Sequence, residues 1–307
     1  MMACLAVAKD QSPPVAPAEL VRRAVQNEAA ASNGSGPRFM FKNERRTPRF
    51  SETKLMVETC DATAGLLVAV DSRPLTPEQR QAEEARLENY IHNPEQLNRK
   101  RKQEQEDAER TTKIVRALPE AFLYEADGTQ PGTATIGRLG DELTRLKFRP
   151  NPNYNPPSHV EQVLTGMRGE LLIDPKENRI AEINGTLEKE VGFGWGILGH
   201  LDRGGHFLVQ QADIGNHVWE LTGMELSFTG KVLFFKRLNI HSSDVFTDFR
   251  PVPNSLTFAQ GVELLRKQLT ENQPAAATPP MKQDDPKIQK AQNQSKNQAA
   301  ENICCDR

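Results

Sequence analysis

Residues Gly169 to Phe249 constrain the fold more than any other stretch, because short apolar pulses recur there between regularly spaced turn signals. The breaks are Asp174-Pro175-Lys176-Glu177-Asn178, Gly192 to Gly199, Gly204-Gly205, Gly215-Asn216, and Gly223 or Gly230. This rhythm predicts antiparallel strands wound into a sandwich, barrel or half-barrel. Under strict alternation Ala181, Ile183 and Leu187 share one face, as do Trp219 and Leu221, and Phe234 follows in the pulse Val232-Leu233-Phe234-Phe235.

The same period appears near the start. Phe39 and Phe41 alternate with polar residues, and so do Leu55 and Val57 after the turn at Thr47-Pro48. Leu66 to Val70 then reads as a more buried strand, which completes a three-stranded meander. Further strands are predicted at Phe122-Leu123-Tyr124 and from Leu143 to Phe148.

Helical spacing occurs in four places. Leu20, Val21, Ala24 and Val25 mark a short amphipathic helix, and Val262, Leu265 and Leu269 mark another over Thr257 to Leu269. Residues 159–165 carry one or two helical turns. The longest segment, about 76–118, starts with Thr76 as N-cap, Pro77 at the first helical position and Gln79 three residues after the cap. Asn93-Pro94 interrupts it, residues 92–113 are almost devoid of large apolar side chains, and apolar spacing returns at Ile114, Val115 and Leu118.

The expected class is therefore α+β, mainly antiparallel β: a curved sheet or unclosed half-barrel with covering helices and a long charged helical insertion. The expected organisation is an N-terminal segment 1–15, one β-rich domain over 16–272 and a disordered tail over 273–307. That tail is mostly Pro, Ala, Gln, Asn and Lys, too polar to offset its ordering entropy.

Charge excludes some functions. With 39 basic and 41 acidic residues the net charge is −2, which gives no global attraction to nucleic acid. The basic run Arg99-Lys100-Arg101-Lys102 is followed by Glu104, Glu106, Asp107 and Glu109, the pattern of a solvated helix laced with ion pairs. No apolar run reaches the roughly 18 residues of a membrane-spanning helix.

Cys4, Cys60, Cys304 and Cys305 form neither a metal-binding pattern nor a disulfide framework. Cys60 is expected buried or half-buried at a strand end, with pairing to the tail cysteines left open. Cys4-Leu5-Ala6-Val7-Ala8 ends in a small-x-small pattern and is shorter than a whole secretory signal. It reads either as the end of a signal peptide or as an apolar N-terminus without structure, so the location is periplasmic or secreted, with cytoplasmic as the alternative.

No catalytic motif is present, and no cofactor or metal is predicted. His200, His206 and His217 could meet at neighbouring strand ends, but their spacing matches no zinc pattern. Ser227 and Ser242 lack a nucleophile elbow, and Gly192-Phe193-Gly194-Trp195-Gly196 lacks the spacing of a dinucleotide fingerprint. The aromatics of that glycine run either pack beside a hairpin connection or gate a ligand. Glu83-Glu84 reads as solvated helix surface.

A sheet that alternates apolar and polar residues must bury its apolar face. The covering helices are short or half polar, so an incompletely covered concave face would leave an apolar cavity suited to an acyl chain. Phe39, Phe41, Leu55, Val57, Ile183, Trp219, Leu221 and Phe234 are its candidate lining. The alternative is a fully packed structural or adaptor protein of the cell envelope with no ligand.

The segments Gly169-Glu170-Leu171-Leu172-Ile173-Asp174-Pro175 and Arg179-Ile180-Ala181-Glu182-Ile183-Asn184-Gly185-Thr186-Leu187 carry a resemblance, together with Pro74 to Arg80 and Leu118 to Phe122 upstream. Over residues 18–270 the chain resembles a group of uncharacterised secreted bacterial proteins. That group is similar in architecture to lipoprotein-sorting and carrier proteins of the LolA and LppX type. The resemblance implies an unclosed β-barrel lidded by helices and a non-enzymatic periplasmic protein whose partner is a lipid or an acylated protein.

Overall fold

A computed structural model describes residues 15–32, 36–193, 199–232 and 236–272. Phe234, Trp195, Cys4, Cys304, Cys305 and the tail 273–307 lie outside these residues. The chain divides into two units, 1–266 and 267–307, and the sheet lies wholly in the first.

Among the described residues the fold is α+β with one antiparallel sheet of 13 strands. The meander is present as β1 (Arg38–Arg46), β2 (Ser51–Val57) and β3 (Ala64–Val70), with the short β4 (Arg73–Pro74) at its edge. At the other edge lie β5 (Phe122–Pro131) and β6 (Glu142–Pro150). Between them come β7 (Met167–Asp174), β8 (Arg179–Leu187), β9 (Val191–Phe193), β10 (Gly199–Leu201), β11 (His206–Asp213), β12 (Trp219–Val232) and β13 (Lys236–Val252). The spatial order is β4-β3-β2-β1-β13-β12-β11-β8-β7-β6-β5, with β10 joined to β12 and β9 to β10. The terminal strands β4 and β5 do not pair with each other, so the curved sheet stays open.

Helices α1 (Pro17–Ala31), α2 (Pro77–His92), α3 (Pro94–Ala121), α4 (His159–Gln162) and α5 (Phe258–Asn272) accompany the sheet. At the start of α2, Thr76 accepts from the Gln79 N–H and the Gln79 side chain accepts from the Thr76 N–H, the predicted capping box. Asn93 ends α2 and caps α3, so the two helices abut without a loop. At 28 residues α3 is about 42 Å long. It runs past Pro119 to Ala121, and the Leu118 carbonyl accepts from Tyr124 Oη at 2.7 Å.

The middle of α3 is exposed but not unattached. Arg101 Nη2 pairs with Asp61 at 2.9 Å, and Glu104 accepts from the Thr63 N–H at 3.0 Å. Lys100 and Glu104 form the expected i,i+4 ion pair at 2.7 Å.

Three local readings are corrected. Glu83 is buried at 7% exposure instead of solvated, because the register of β2 on β3 slips beside Val68 and Glu83 accepts the Leu67 N–H at 2.7 Å. Burial alone would raise the Glu83 pKa, but Arg86 and that N–H outweigh it and hold the carboxyl below its ordinary range. Cys60 is exposed, in the turn that follows β2, instead of packed at a strand end. Ala181 does not share a face with Ile183, because β7 against β8 pairs Leu172 with Glu182 and Ile173 with Ile180, leaving Ala181 as the extra residue of a bulge.

The main core lies between α1, α3 and strands β5 to β8. Val21, Ala24, Leu118, Leu146, Leu171 and Ile180 are among its buried residues. A second cluster joins Leu143, Leu172, Ala181 and Trp219.

Candidate functional site

The buried side chains of the core that α1 and α3 share with β5 to β8 do not extend across β11 and β12, where Phe207 and Phe228 are only partly buried against it. There a cavity of about 810 Å³ remains, lined on the sheet side by Ile183 of β8, Phe207 and Val209 of β11, and Leu221, Met224, Leu226 and Phe228 of β12. Phe193 of β9 and Leu201 of β10, two strands that pair with each other, also line it. The opposite wall is helical: Ala29 from α1, Ile114 and Val115 from α3, and Val160 from α4, with Val163 and Leu164 just beyond it. The sheet-side residues are half-buried, unlike the fully buried side chains beneath α1.

Strand register creates this wall. Phe207 stands opposite Leu226 and Val209 opposite Met224, and directly paired residues of an antiparallel ladder share a face. The ladder then slips between Gln210 and Gln211, where Thr222 is the extra residue, so Leu221 joins the same wall as Met224 despite the odd spacing. Thr222 turns away and donates to the Thr135 carbonyl at 2.6 Å.

Two glycines set the positions of the aromatic lining. A Cβ on Gly185 would stand 2.3 Å from the Phe207 ring, and a Cβ on Gly205 would stand 2.4 Å from the Phe228 ring. Both rings rest against bare backbone at distances a side chain there would not allow.

Polar groups lie at the margins. Glu28 of α1 is engaged by Arg179 at 2.9 Å and also accepts from the Ile180 N–H at 3.0 Å. Thr111, Thr112, Arg116 and His159 border the cavity where α3 meets α4.

The structure separates the predicted lining residues. Ile183 and Leu221 line the cavity. Phe39 and Phe41 lie elsewhere, in an aromatic group with Phe249, whose ring stacks on Phe41 at 5.5 Å between centroids. Leu55 pairs with Lys42 and Val57 with Met40, so both project from the sheet face opposite to Phe39 and Phe41. Val57 is fully buried against α5, where Gly261 leaves room for it. Trp219 shares its cluster with Leu143, Leu172 and Ala181 and carries the Arg179 guanidinium 5.5 Å from its ring centroid. It leaves the cavity wall because β8 pairs with β11 only as far as Gln210, and the 132–141 loop takes over beside Ala212.

The three histidines do not converge. His206 Nε2 is 3.1 Å from Asn184 Oδ1, His217 contacts Glu177, and His200 Nε2 is 3.2 Å from Asp202 Oδ1. Glu190, His200 and Asp202 place ligand-type atoms within 4.8 Å of one another beside the β9–β10 hairpin, an arrangement that surface ion pairs also produce. Ser227 Oγ is 2.9 Å from His241 Nδ1, and among the described residues no carboxylate orients that imidazole.

No family model, curated protein or solved structure matches the chain. Among the described residues no helix is long and apolar enough to cross a membrane.

Proposed function

We propose that this chain is a non-enzymatic binding protein of the cell envelope that carries a lipid or the acyl chain of a lipoprotein between its open sheet and its helices. The observation that supports this reading is the cavity of about 810 Å³ walled by apolar side chains of β8, β11, β12, α1 and α3. Protein interiors are close-packed, and a cleft walled by apolar side chains between sheet and helices departs from that rule. A void of this size falls within the roughly 300–1,000 Å³ of small-molecule sites. A fully packed structural module, the alternative, has no use for it. The resemblance to lipoprotein-sorting carriers supports the same ligand class and a periplasmic location.

The test starts with the full chain purified from its natural compartment, extracted with organic solvent and examined by mass spectrometry. A phospholipid or fatty acid near one per chain is expected, along with enhanced fluorescence of the neutral dye N-phenyl-1-naphthylamine on the stripped protein. A clean extract with no dye response would overturn the reading. Cell fractionation tests the location separately.

A further inference from the structure

The polar margin of the cavity is uneven in charge. Among the described residues Glu28 is the one carboxylate that lines it, and it is already neutralised by the bidentate Arg179 guanidinium. At the α3–α4 end stands Arg116, which lines both the cavity and a shallower outer pocket of about 710 Å³. Lys113, one turn earlier on α3, lines that outer pocket too. Both cations are exposed, and among the described residues neither has an ion-pair partner. The acids of the outer pocket do not take that place: Glu161 is buried and accepts from Ser158, and Glu120, four residues after Arg116, makes no ion pair with it.

Apolar walls that end at two uncompensated cations, one of them shared with a solvent-facing recess, match an amphiphile whose tail is apolar and whose head is anionic. We propose that the cavity takes an acyl chain bearing a carboxylate or phosphate head, with the tail against Ile183, Met224 and Phe228 and the head at Arg116 and Lys113 in the α3–α4 mouth. This rests on the reading of the cavity as a lipid site. Guanidinium is suited to the task because it binds carboxylate and phosphate oxygens bidentately and stays charged at every relevant pH. His159, exposed at the same mouth, adds a hydrogen-bond donor, and its Nδ1 is only loosely engaged by Gln162 at 3.4 Å.

The experiment displaces N-phenyl-1-naphthylamine from the full chain with three amphiphiles of equal chain length: a fatty acid, the corresponding alcohol and an alkyltrimethylammonium ion. The wild-type protein is compared with R116E/K113E, whose changes lie on exposed positions. At about pH 8, where the carboxyl is ionised, the acid is expected to displace the dye at least about tenfold more effectively than the alcohol, with the ammonium ion weakest. That preference, read as the ratio of acid to alcohol displacement within each protein, is expected to vanish in R116E/K113E and to shrink with added salt. An alkyl phosphate of the same chain length, run beside these three, would assign the site to anionic heads in general if it behaves like the acid, and would narrow the head to a carboxylate if it displaces no better than the alcohol. Equal displacement by acid and alcohol, or an acid preference that survives the charge reversal, would overturn the head-group assignment while leaving the cavity intact as a lipid site. Failure of the dye and of all three amphiphiles to bind would remove the cavity reading itself.

Discussion

Arg179 holds Glu28 through both carboxylate oxygens, Nε to Oε1 at 2.9 Å and Nη2 to Oε2 at 3.0 Å, joining β8 to the last turns of α1 across 151 residues of chain. The two side chains are 14% and 13% exposed, so the pair is largely withdrawn from water. Removing one partner leaves the other largely buried charge without its ion pair.

Glu28→Gln is therefore expected to cost about 3 kcal/mol of folding stability, because a buried charge loses its partner. The loss is read as a lowered urea midpoint with an unchanged slope. Since Glu28 also borders the cavity, α1 should loosen locally, seen as faster amide exchange over Ala24 to Ala31. A variant as stable as the parent would show that α1 is held by its apolar face alone.

Burial pushes the Glu220 carboxyl up to about 7, with the nearby Glu58 acting in the same direction and Arg179 opposing. The folded chain then keeps a proton that the unfolded chain has released above its ordinary value of 4.5. The contribution is complete below that value and is lost as pH rises through about 7. The urea midpoint is expected to fall between about pH 5 and about pH 8, and Glu220→Gln to flatten that decline. Glu58, whose pKa burial also raises, accounts for a residual slope. An identical decline in wild type and variant would exonerate Glu220.

Met224 projects into the cavity instead of into packed core. Met224→Trp is expected to fill the space and weaken dye and lipid binding about tenfold, while shifting the melting temperature little because no packed neighbour is displaced. Marked destabilisation would mean that the void is smaller in solution.

Gly169 faces Gly185 across β7 and β8, and a Cβ there would lie 1.8 Å from the Asn184 carbonyl oxygen. Gly169→Ala therefore has to separate two central strands, at an expected cost on the order of 3 kcal/mol. Thermal melting measures it, and a change below a few tenths of a degree would contradict the close approach.

Elements with local chemical signals were legible in the sequence. The Thr76–Gln79 cap, the Asn93-Pro94 break and the β1–β3 meander depend on neighbours a few residues apart, and each is present. The apolar wall was legible in part: Ile183 and Leu221 were found through alternation. What the alternation could not carry is the effect of single-residue bulges. The extra residues Ala181 and Thr222 reverse the side-chain face without any trace in composition. Phe207, Met224, Leu226 and Phe228 were missed, although Gly185 and Gly205 offered a signal, since glycine inside a strand marks a close approach. The distribution of Phe39, Phe41, Leu55 and Val57 over two faces depends on which residue of β2 meets which of β1, a pairing no single strand encodes.

Helix α3 passes into β5 without an intervening residue and is tethered near its middle by the Arg101–Asp61 and Glu104–Thr63 contacts. A ceiling fixed at its end and near its middle has little room to billow to suit its guest. If the cavity holds acyl chains, it should act as a fixed gauge, accepting tails up to one length and rejecting longer ones abruptly, where a hinged cover would grade them smoothly.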